Sequence, residues 1–510
     1  MRKVKICDWP IFALLAVNLV AGWFLLPNYG ISWDEPLFYD YAAHIGSAYS
    51  LQNLANASVP ANAFGASSSD HQFYGPAYLL AAEPITKALQ TAGLGLYQSW
   101  HWLNFLCFQV AVLCLYYLLL PSTGKWPAVF GAALMVWQPT LWGHAFINPK
   151  DIPFMAACLA SYLAGTRALD AAQNNPPQRA FVWWVAFGVL LGLTSAIRVI
   201  GPLIGIVMLF DLVLRRQWRQ LSSFFAAGGL AAAVMVAAWP FLWNDPVTNF
   251  IEVLRHMSNN PTELAVLYEG VVFRANAMPI SYIPRMFLLM LSEPTWPLAA
   301  LGVGALLVDV RNGGKLWRHA TPLGAIFILL LAYILARRPS VYDGFRHFLF
   351  ILPIVFMLPA YAASCVLRRF GPRPFTALVA LALLPGLAGI YSTHPYEYNY
   401  YNQFAGGQAA TLRRYENDYW LTCYQPALRW FAETYPGQPL AVQRELPLAK
   451  AYSLPIPLVH AGGVGSLERG SFLLTHVRAN LDERSVYRNE TVIQAFGLPG
   501  LDLCTIKQVK

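Results

Sequence analysis

Two short stretches put carboxylates where group transfer would need them. In Gly30-Ile-Ser-Trp33-Asp34-Glu35-Pro36 two acids stand side by side just after the first apolar run. Carboxylates this close to a membrane are costly when partly desolvated; they persist where they bind a cation or substrate, or remove a proton. Asp34 could instead cap a helix beginning at Pro36. The second stretch, Asn148-Pro149-Lys150-Asp151-Ile-Pro153, is brief and polar between two long apolar runs. Asp151 would begin a helix there, and stabilisation by the helix dipole is its competing role. Asp70-His71, ahead of Tyr74-Gly75-Pro76, offers a histidine able to bind phosphate or titrate near neutrality; a solvated loop histidine is the plain alternative. Arg198 sits in an otherwise apolar Ser-Ala-Ile-Arg198-Val-Ile-Gly-Pro and so needs a partner. A guanidinium fork matches phosphate oxygens. Arg274, Arg346 and His347 could serve in the same way as Lys150 and Arg198, with snorkelling anchors as the alternative. Carboxylates beside clustered cations suit transfer of a group from a phosphate-bearing lipid. The cations would hold the leaving phosphate while a carboxylate takes the proton of an acceptor hydroxyl.

The elements that must position these residues are membrane helices. Of 510 residues 57% are hydrophobic and 12% charged, with a mean hydropathy of +0.43; a soluble domain carries about twice that charged fraction. Apolar runs at 9–26, 100–120, 126–146, 152–170, 181–197, 199–214, 222–243, 286–309, 320–337, 347–366 and 375–392 predict about eleven transmembrane helices. The first follows Met-Arg-Lys-Val-Lys without a small-residue cleavage site and reads as a retained helix with a cytoplasmic N-terminus. Threading the chain from there places Lys125, Arg167, Arg179, Arg215, Arg216, Arg219, Arg311, Lys315, Arg318, Arg368, Arg369 and Arg373 in cytoplasmic segments with Arg2, Lys3 and Lys5, while 27–75 has no Lys or Arg. This asymmetry sets the orientation, and it accounts for the net charge of +9 without nucleic acid. Segment 76–94 holds Glu83, Pro84 and Lys87; counting it as a span would put the basic loops outside, so it reads as a helix at the outer interface. Every candidate residue named above then lies on the extracytoplasmic side.

From residue 393 onward the chain turns polar, with strand-like runs at Leu440–Val442 and Phe472–Leu474. Residues 1–392 are therefore expected to form a transmembrane domain, with 27–98 as its first extracytoplasmic loop, and 393–510 a small soluble α/β domain. If that domain is exported, Cys423 and Cys504 could pair. Its opening, His394-Pro-Tyr-Glu397-Tyr-Asn-Tyr-Tyr-Asn402 through Glu416-Asn-Asp418-Tyr-Trp420, is aromatic and polar, as carbohydrate-stacking surfaces and interfacial belts both are.

These motifs carry a resemblance. Trp33-Asp34-Glu35-Pro36, then Asp70-His71 with Tyr74-Gly75-Pro76, then Asn148-Pro149-Lys150-Asp151 resemble, in order and spacing over roughly residues 1–220, the polyprenyl-phosphate-dependent glycosyltransferases of the GT-C fold, the broad protein-mannosyltransferase and aminoarabinose-transferase group. Gln72-Phe73 stand where that family usually has prolines, and Lys150 intrudes before Asp151. The resemblance implies an all-α polytopic GT-C-like fold followed by a soluble appendix. It implies an inverting sugar transfer from a polyprenyl-phosphate carrier to an extracytoplasmic glycan, lipid or protein. Asp34 would be the base, Glu35 its support and Asp151 an orienting group or cation ligand. Substrate contacts would come from His71, Tyr74, Lys150, Arg198, Arg274, Arg346 and His347. No cofactor is specified, although a divalent cation could sit at the carboxylates. The expected partners are the lipid-linked donor, the acceptor and membrane lipids, with no nucleic acid, in a bacterial inner membrane. A lipid-linked-sugar transporter or flippase should instead place ionisable groups at the bilayer midplane and show repeat symmetry; Glu293 is the main residue so placed, and it could equally mark a late start of the eighth span. An O-antigen ligase or polymerase should carry a large Arg-rich central outside loop.

Overall fold

The computed structural model describes residues 8–56, 58–174, 177–258, 263–313, 317–462, 467–483 and 490–510. Arg2, Lys3, Lys5 and Lys315 lie outside the described residues. The apolar runs become helices, because a backbone in lipid must satisfy its own hydrogen bonds. Among the described residues six helices are long and apolar enough to cross a membrane: Trp9–Asn28, Leu96–Thr123, Asp151–Gln173, Trp218–Ala237, Arg346–Phe370 and Pro372–Thr393, with Lys125–Val136, Leu203–Leu214 and Thr321–Arg337 as shorter apolar helices. The chain is a mostly helical integral membrane protein. Its core is built on Leu96–Thr123, whose Phe105, Phe108, Leu115 and Leu119 are fully buried.

Two of the expected spans are interrupted. The run 126–146 splits into Lys125–Val136 and Pro139–Ile147. Proline has no N–H to continue a helix, and it drives Gln138 to an extended conformation, φ −81° and ψ 118°. The Gln138 side chain spans the gap: its oxygen accepts from Ser292 N at 3.2 Å and Ser292 Oγ at 3.0 Å. The run 286–309 likewise divides into Tyr282–Leu289 and Thr295–Arg311, the second helix opening after Pro294. Glu293 sits in that break, accepting from Gln403 N at 2.9 Å, so it belongs to a late start of this helix and not to a span interior.

The first long loop carries the helices Glu35–Ile45, Leu51–Ala55, Ser68–His71 and Ala77–Thr91. Ala77–Thr91 buries Ala77, Leu79, Ala82 and Thr86 along one side. The segment 244–285 adds a feature that hydropathy does not announce, a hairpin of β1 (Ala265–Tyr268) and β2 (Val271–Arg274).

The chain ends in a five-stranded sheet. Its strands are β3 (Leu440–Val442), β4 (Leu458–His460), β5 (Phe472–His476), β6 (Glu490–Leu498) and β7 (Leu501–Val509), in the order β4-β3-β5-β7-β6. β3 pairs in parallel with β4 and β5, and β7 runs antiparallel between β5 and β6. A disulfide joins Cys423, at the start of helix Tyr424–Thr434, to Cys504 of β7.

The aromatic segment 394–420 forms neither a carbohydrate surface nor an interfacial belt. Tyr398, Tyr401, Tyr415, Tyr419 and Trp420 are all at least 97% buried. The backbone at Tyr398 passes so close to Gly143 that a Cβ there would lie 2.2 Å from Tyr398 N. Glycine is required at this crossing, and the crossing packs the segment onto the helix Pro139–Ile147.

Candidate functional site

Asp34 stands at the N-terminal end of helix Glu35–Ile45, but its carboxylate makes no capping bond. It turns to two cations: Lys150 Nζ lies 2.7 Å and Arg346 Nη1 3.3 Å from Oδ2. Glu35 instead holds the turn that leads into the helix. Its carboxylate, fully buried, accepts from Ser32 N at 2.5 Å and Tyr39 OH at 2.5 Å and meets His101 Nε2 at 2.8 Å. Two adjacent acids therefore serve different ends. Glu35 locks the turn, and Asp34, 17% exposed, faces the opening.

The Asn148–Asp151 turn supplies the next groups. Asn148 Oδ1 accepts from Asp151 N at 2.9 Å and from Lys150 N at 3.3 Å, while its amide donates to Asp151 Oδ2 at 2.9 Å. This clamp directs Lys150 to Asp34. The other Asp151 oxygen meets Arg198 Nη2 at 2.5 Å, which is the partner that an arginine in an apolar stretch requires. The Lys150 ammonium also lies over the rings of Phe38, at 4.9 Å, and Tyr74, at 5.4 Å.

Arg346 arrives from Val341-Tyr342-Asp343-Gly344-Phe345, where Asp343 and Gly344 both have left-handed backbones, φ 56° and 66°. Its guanidinium rests 4.4 Å from the Trp420 ring and 5.0 Å from Tyr342, and its Nε meets Asp343 Oδ2 at 3.0 Å. Asp343 passes the contact on: Arg478, from the C-terminal domain, reaches its Oδ1 at 2.7 Å. The result is an alternating series, Asp34, Arg346, Asp343, Arg478, buried between the two parts of the protein. His347 packs edge-on to Tyr342 at 4.7 Å.

Of the residues expected from sequence, Asp34, Tyr74, Lys150, Asp151, Arg198, Arg346 and His347 gather around this opening. His71 is held apart from solvent: it is 3% exposed, stacks on Tyr41 at 5.2 Å, and its Nδ1 lies 3.3 Å from Phe64 O. Burial holds its pKa below the ordinary histidine value, so near neutrality it is an uncharged packing group. Arg274 lies outside the cluster, at the end of β2, with its side chain 71% exposed and paired to Glu263 at 3.4 Å. Trp33, Asp343, Trp420, Arg444 and Arg478 join the site without having been singled out. An Asp-Gly turn just before Arg346 was a readable signal for Asp343. Arg444 and Arg478 gave none, since their contacts with the first loop span more than 400 residues of chain.

Burial would raise the pKa of Asp34, but the charges of Lys150 and then Arg346 outweigh it and leave the carboxylate below its ordinary value. Asp34 is thus ionised near neutrality, and it is a weak base for as long as both cations remain on it. Lys150 is pulled down by burial, with repulsion from Arg346 and Arg198 adding to this against the attraction of Asp34.

Lys150 and Arg346 both meet Asp34 at Oδ2 and Arg198 meets Asp151 at Oδ1, so a divalent cation at these carboxylates would share them with three basic side chains. A second group, Asp418, Cys423, His476 and Cys504, converges within 4.8 Å. Its sulfurs are joined as a disulfide, and Asp418 is saturated by Thr422 N, Cys423 N and the Tyr398 hydroxyl. That group is built as structure.

Residues 91–243 match a family profile described as dolichyl-phosphate-mannose-protein mannosyltransferase. No curated protein matches the chain. Among solved structures, ArnT from Cupriavidus metallidurans bound to undecaprenyl phosphate superposes with a TM-score of 0.55 at 13% identity, covering 98% of each chain. The archaeal oligosaccharyltransferase AglB from Archaeoglobus fulgidus, in complex with an inhibitory peptide and a dolichol-phosphate, gives 0.51 at 13% identity, over 93% of this chain and 70% of AglB. The fold is the GT-C fold that these two structures share.

Proposed function

We propose that this protein is a membrane glycosyltransferase that moves a hexosyl or pentosyl group from a polyprenyl-phosphate carrier to an extracytoplasmic acceptor, with inversion and with Asp34 as the base. The observation that carries the reading is the pair of cations on one Asp34 oxygen, Lys150 at 2.7 Å and Arg346 at 3.3 Å. A lipid phosphate competes for both. When Lys150 and Arg346 move to phosphate oxygens, Asp34 loses the attraction that keeps its pKa low and becomes a better proton acceptor. Donor binding thus arms the base. The acceptor O–H loses its proton to Asp34 as its oxygen bonds the anomeric carbon. The C–O bond to the lipid phosphate breaks, and Lys150, Arg346 and Arg198 take up the charge that develops on it. Asp151 holds Arg198, and Glu35 holds the turn that presents Asp34.

The profile match over 91–243 and two structural neighbours bound to polyprenyl phosphates support such a donor for this chain. The charge asymmetry of the loops supports a cytoplasmic N-terminus. It also supports a site on the extracytoplasmic side, with the domain from about residue 393 exported beside it, while the apolar runs support about eleven spans; a bacterial inner membrane is part of the same proposal. Transfer from a lipid-linked sugar by Asp34→Asn is the decisive measurement. A full rate in that variant would remove the proposed base.

A further inference from the structure

The electrostatic surplus of the site is concentrated around Trp33. Arg478 lies over its ring at 4.6 Å and Arg444 at 5.3 Å. Three buried donors meet here without an acceptor: the indole Nε1–H of Trp33, Nε of Arg444 and Nε of Arg478. The remaining nitrogens of Arg478 are spent, on Tyr419 O at 2.5 Å and Asp343 at 2.7 Å. Arg444 has only a loose ion pair. The nearest acid is Glu445, 3.7 Å away and beyond hydrogen-bond distance. Burial and then repulsion by Arg478 lower the pKa of Arg444, against the attraction of Glu445 and Glu416. Buried donors with no acceptor are uncommon in native proteins, because each costs the desolvation of a strong hydrogen-bonding group. Three donors of one kind around one ring define a site for an oxyanion.

We propose that Trp33, Arg444 and Arg478 form an oxyanion subsite for the acceptor, so that the molecule receiving the sugar carries a phosphate or carboxylate close to its reacting hydroxyl. The anion site stands on the orphaned donors alone; its assignment to the acceptor rests on the transfer reading above. The donor phosphate has its own cations, Lys150, Arg198 and Arg346, on the Asp34 side. Trp33 adjoins the base in sequence, about 3.8 Å away between α-carbons, and the series Asp34, Arg346, Asp343, Arg478 links the two groups. Arg444 and Arg478 come from the C-terminal domain, which makes that domain part of the acceptor's binding surface. Arg444 is 19% exposed, and so is open to a ligand arriving from solution.

The test uses the purified full-length chain in a phosphate-free detergent, with inorganic phosphate as the probe and isothermal titration calorimetry as the readout. Loss of one charge-assisted contact should weaken binding about tenfold in Arg444→Gln. Arg444→Lys should recover part of it, and Trp33→Phe, which deletes the indole N–H but keeps a ring, should weaken it about threefold. Arg429→Gln, on the exposed surface of the same domain, should bind as the unaltered protein does. Lys150→Met should retain binding at the Trp33 site. Phosphate bound by Arg444→Gln with unaltered affinity, or binding abolished by Lys150→Met and untouched by Arg444→Gln, overturns the site. In turnover, Arg444→Gln should raise the acceptor KM about tenfold with kcat within about twofold; a fall in kcat at constant acceptor KM overturns the acceptor assignment. Polyprenyl-phosphate binding should survive Arg444→Gln and fail in Lys150→Met. If Lys150→Met still binds that lipid, the donor reading is the one that fails.

Discussion

Asp34 and Asp418 both lie close to a tryptophan and to histidine or arginine, yet they are held in opposite ways. Asp418 is fully buried, and its oxygens accept from Thr422 N and Cys423 N, each at 3.0 Å, and from the Tyr398 and Thr422 hydroxyls. His476 closes the set at 3.4 Å. Because His476 Nδ1 accepts from Arg478 N at 2.9 Å, its Nε2 carries the proton and donates to Asp418. The partners of Asp418 are two backbone N–H groups and three buried side chains, with little freedom to leave. Asp34 has two partners, both long cationic side chains, and an opening to solvent. A carboxylate meant to exchange its partners for substrate is held by groups that can swing. One meant to hold a fold is held by groups that cannot.

The largest effect expected from this difference falls on rate. Asp34→Asn should lower sugar transfer by 100-fold or more, the loss typical of a general base, while its thermal unfolding midpoint moves little, since Arg346 keeps its ion pair with Asp343 and the amide oxygen can still accept from Lys150. A drop in stability as large as that of an Asp418 variant would erase the distinction. Asp418→Ala should behave in the opposite sense. It orphans two backbone N–H groups and two hydroxyls in the interior, at a cost of about 3 kcal/mol or more, read as a lower unfolding midpoint and reduced yield. The folded fraction should keep activity within about tenfold. Glu35→Ala belongs with Asp418, because its three buried partners are lost in the same way.

Which of these acids would be functional was legible only in part. Asp34, Lys150 and Asp151 stood out because polar residues between long apolar runs are costly, and the same hydropathy located most helices. Three things were hidden. Adjacent residues share one environment in a sequence, so only the family resemblance, and no local pattern, separated Asp34 as base from Glu35 as its support. Breaks at Gln138 and Glu293 look like continuous hydropathy until proline geometry is drawn. The burial of Tyr398 and Trp420, and the reach of Arg478 to Asp343, depend on long-range packing that no local pattern encodes. Arg274 shows the converse: a loop cation on the expected face need not approach the site, because the hairpin that carries it turns it outward.

Acidity provides a finer test. Transfer requires ionised Asp34, so kcat/KM should fall as pH drops through its pKa, which Lys150 and then Arg346 hold below the ordinary carboxylate value. Removing either attraction raises that pKa, so the acid limb of the pH–rate profile should move to higher pH. The shift should be larger in Lys150→Met than in Arg346→Gln, following the order of their effects on Asp34. The sign for stability is the same: a carboxylate with a depressed folded pKa contributes stability at higher pH, and that contribution is lost as pH falls through the folded value. An acid limb that stays in place in both variants would mean that some other group sets it.

The smallest effect on rate should come from the disulfide beside Asp418. Cys423 N donates to Asp418 while its sulfur is joined to Cys504, 81 residues away, so one residue serves both the acid and the cross-link. Closing a loop of that length stabilises by about 2–4 kcal/mol, mainly through the unfolded chain. Cys504→Ser should therefore lower the unfolding midpoint of the C-terminal domain. It leaves the Cys423 N–H bond to Asp418 in place, and transfer should stay within about twofold at a temperature where the domain remains folded. The contrast with Asp34 is sharpest here. If breaking the cross-link slows transfer as much as Asp34→Asn does, the region around Asp418 shapes the reacting groups directly, and rigid partners cease to be the mark of a structural acid in this protein.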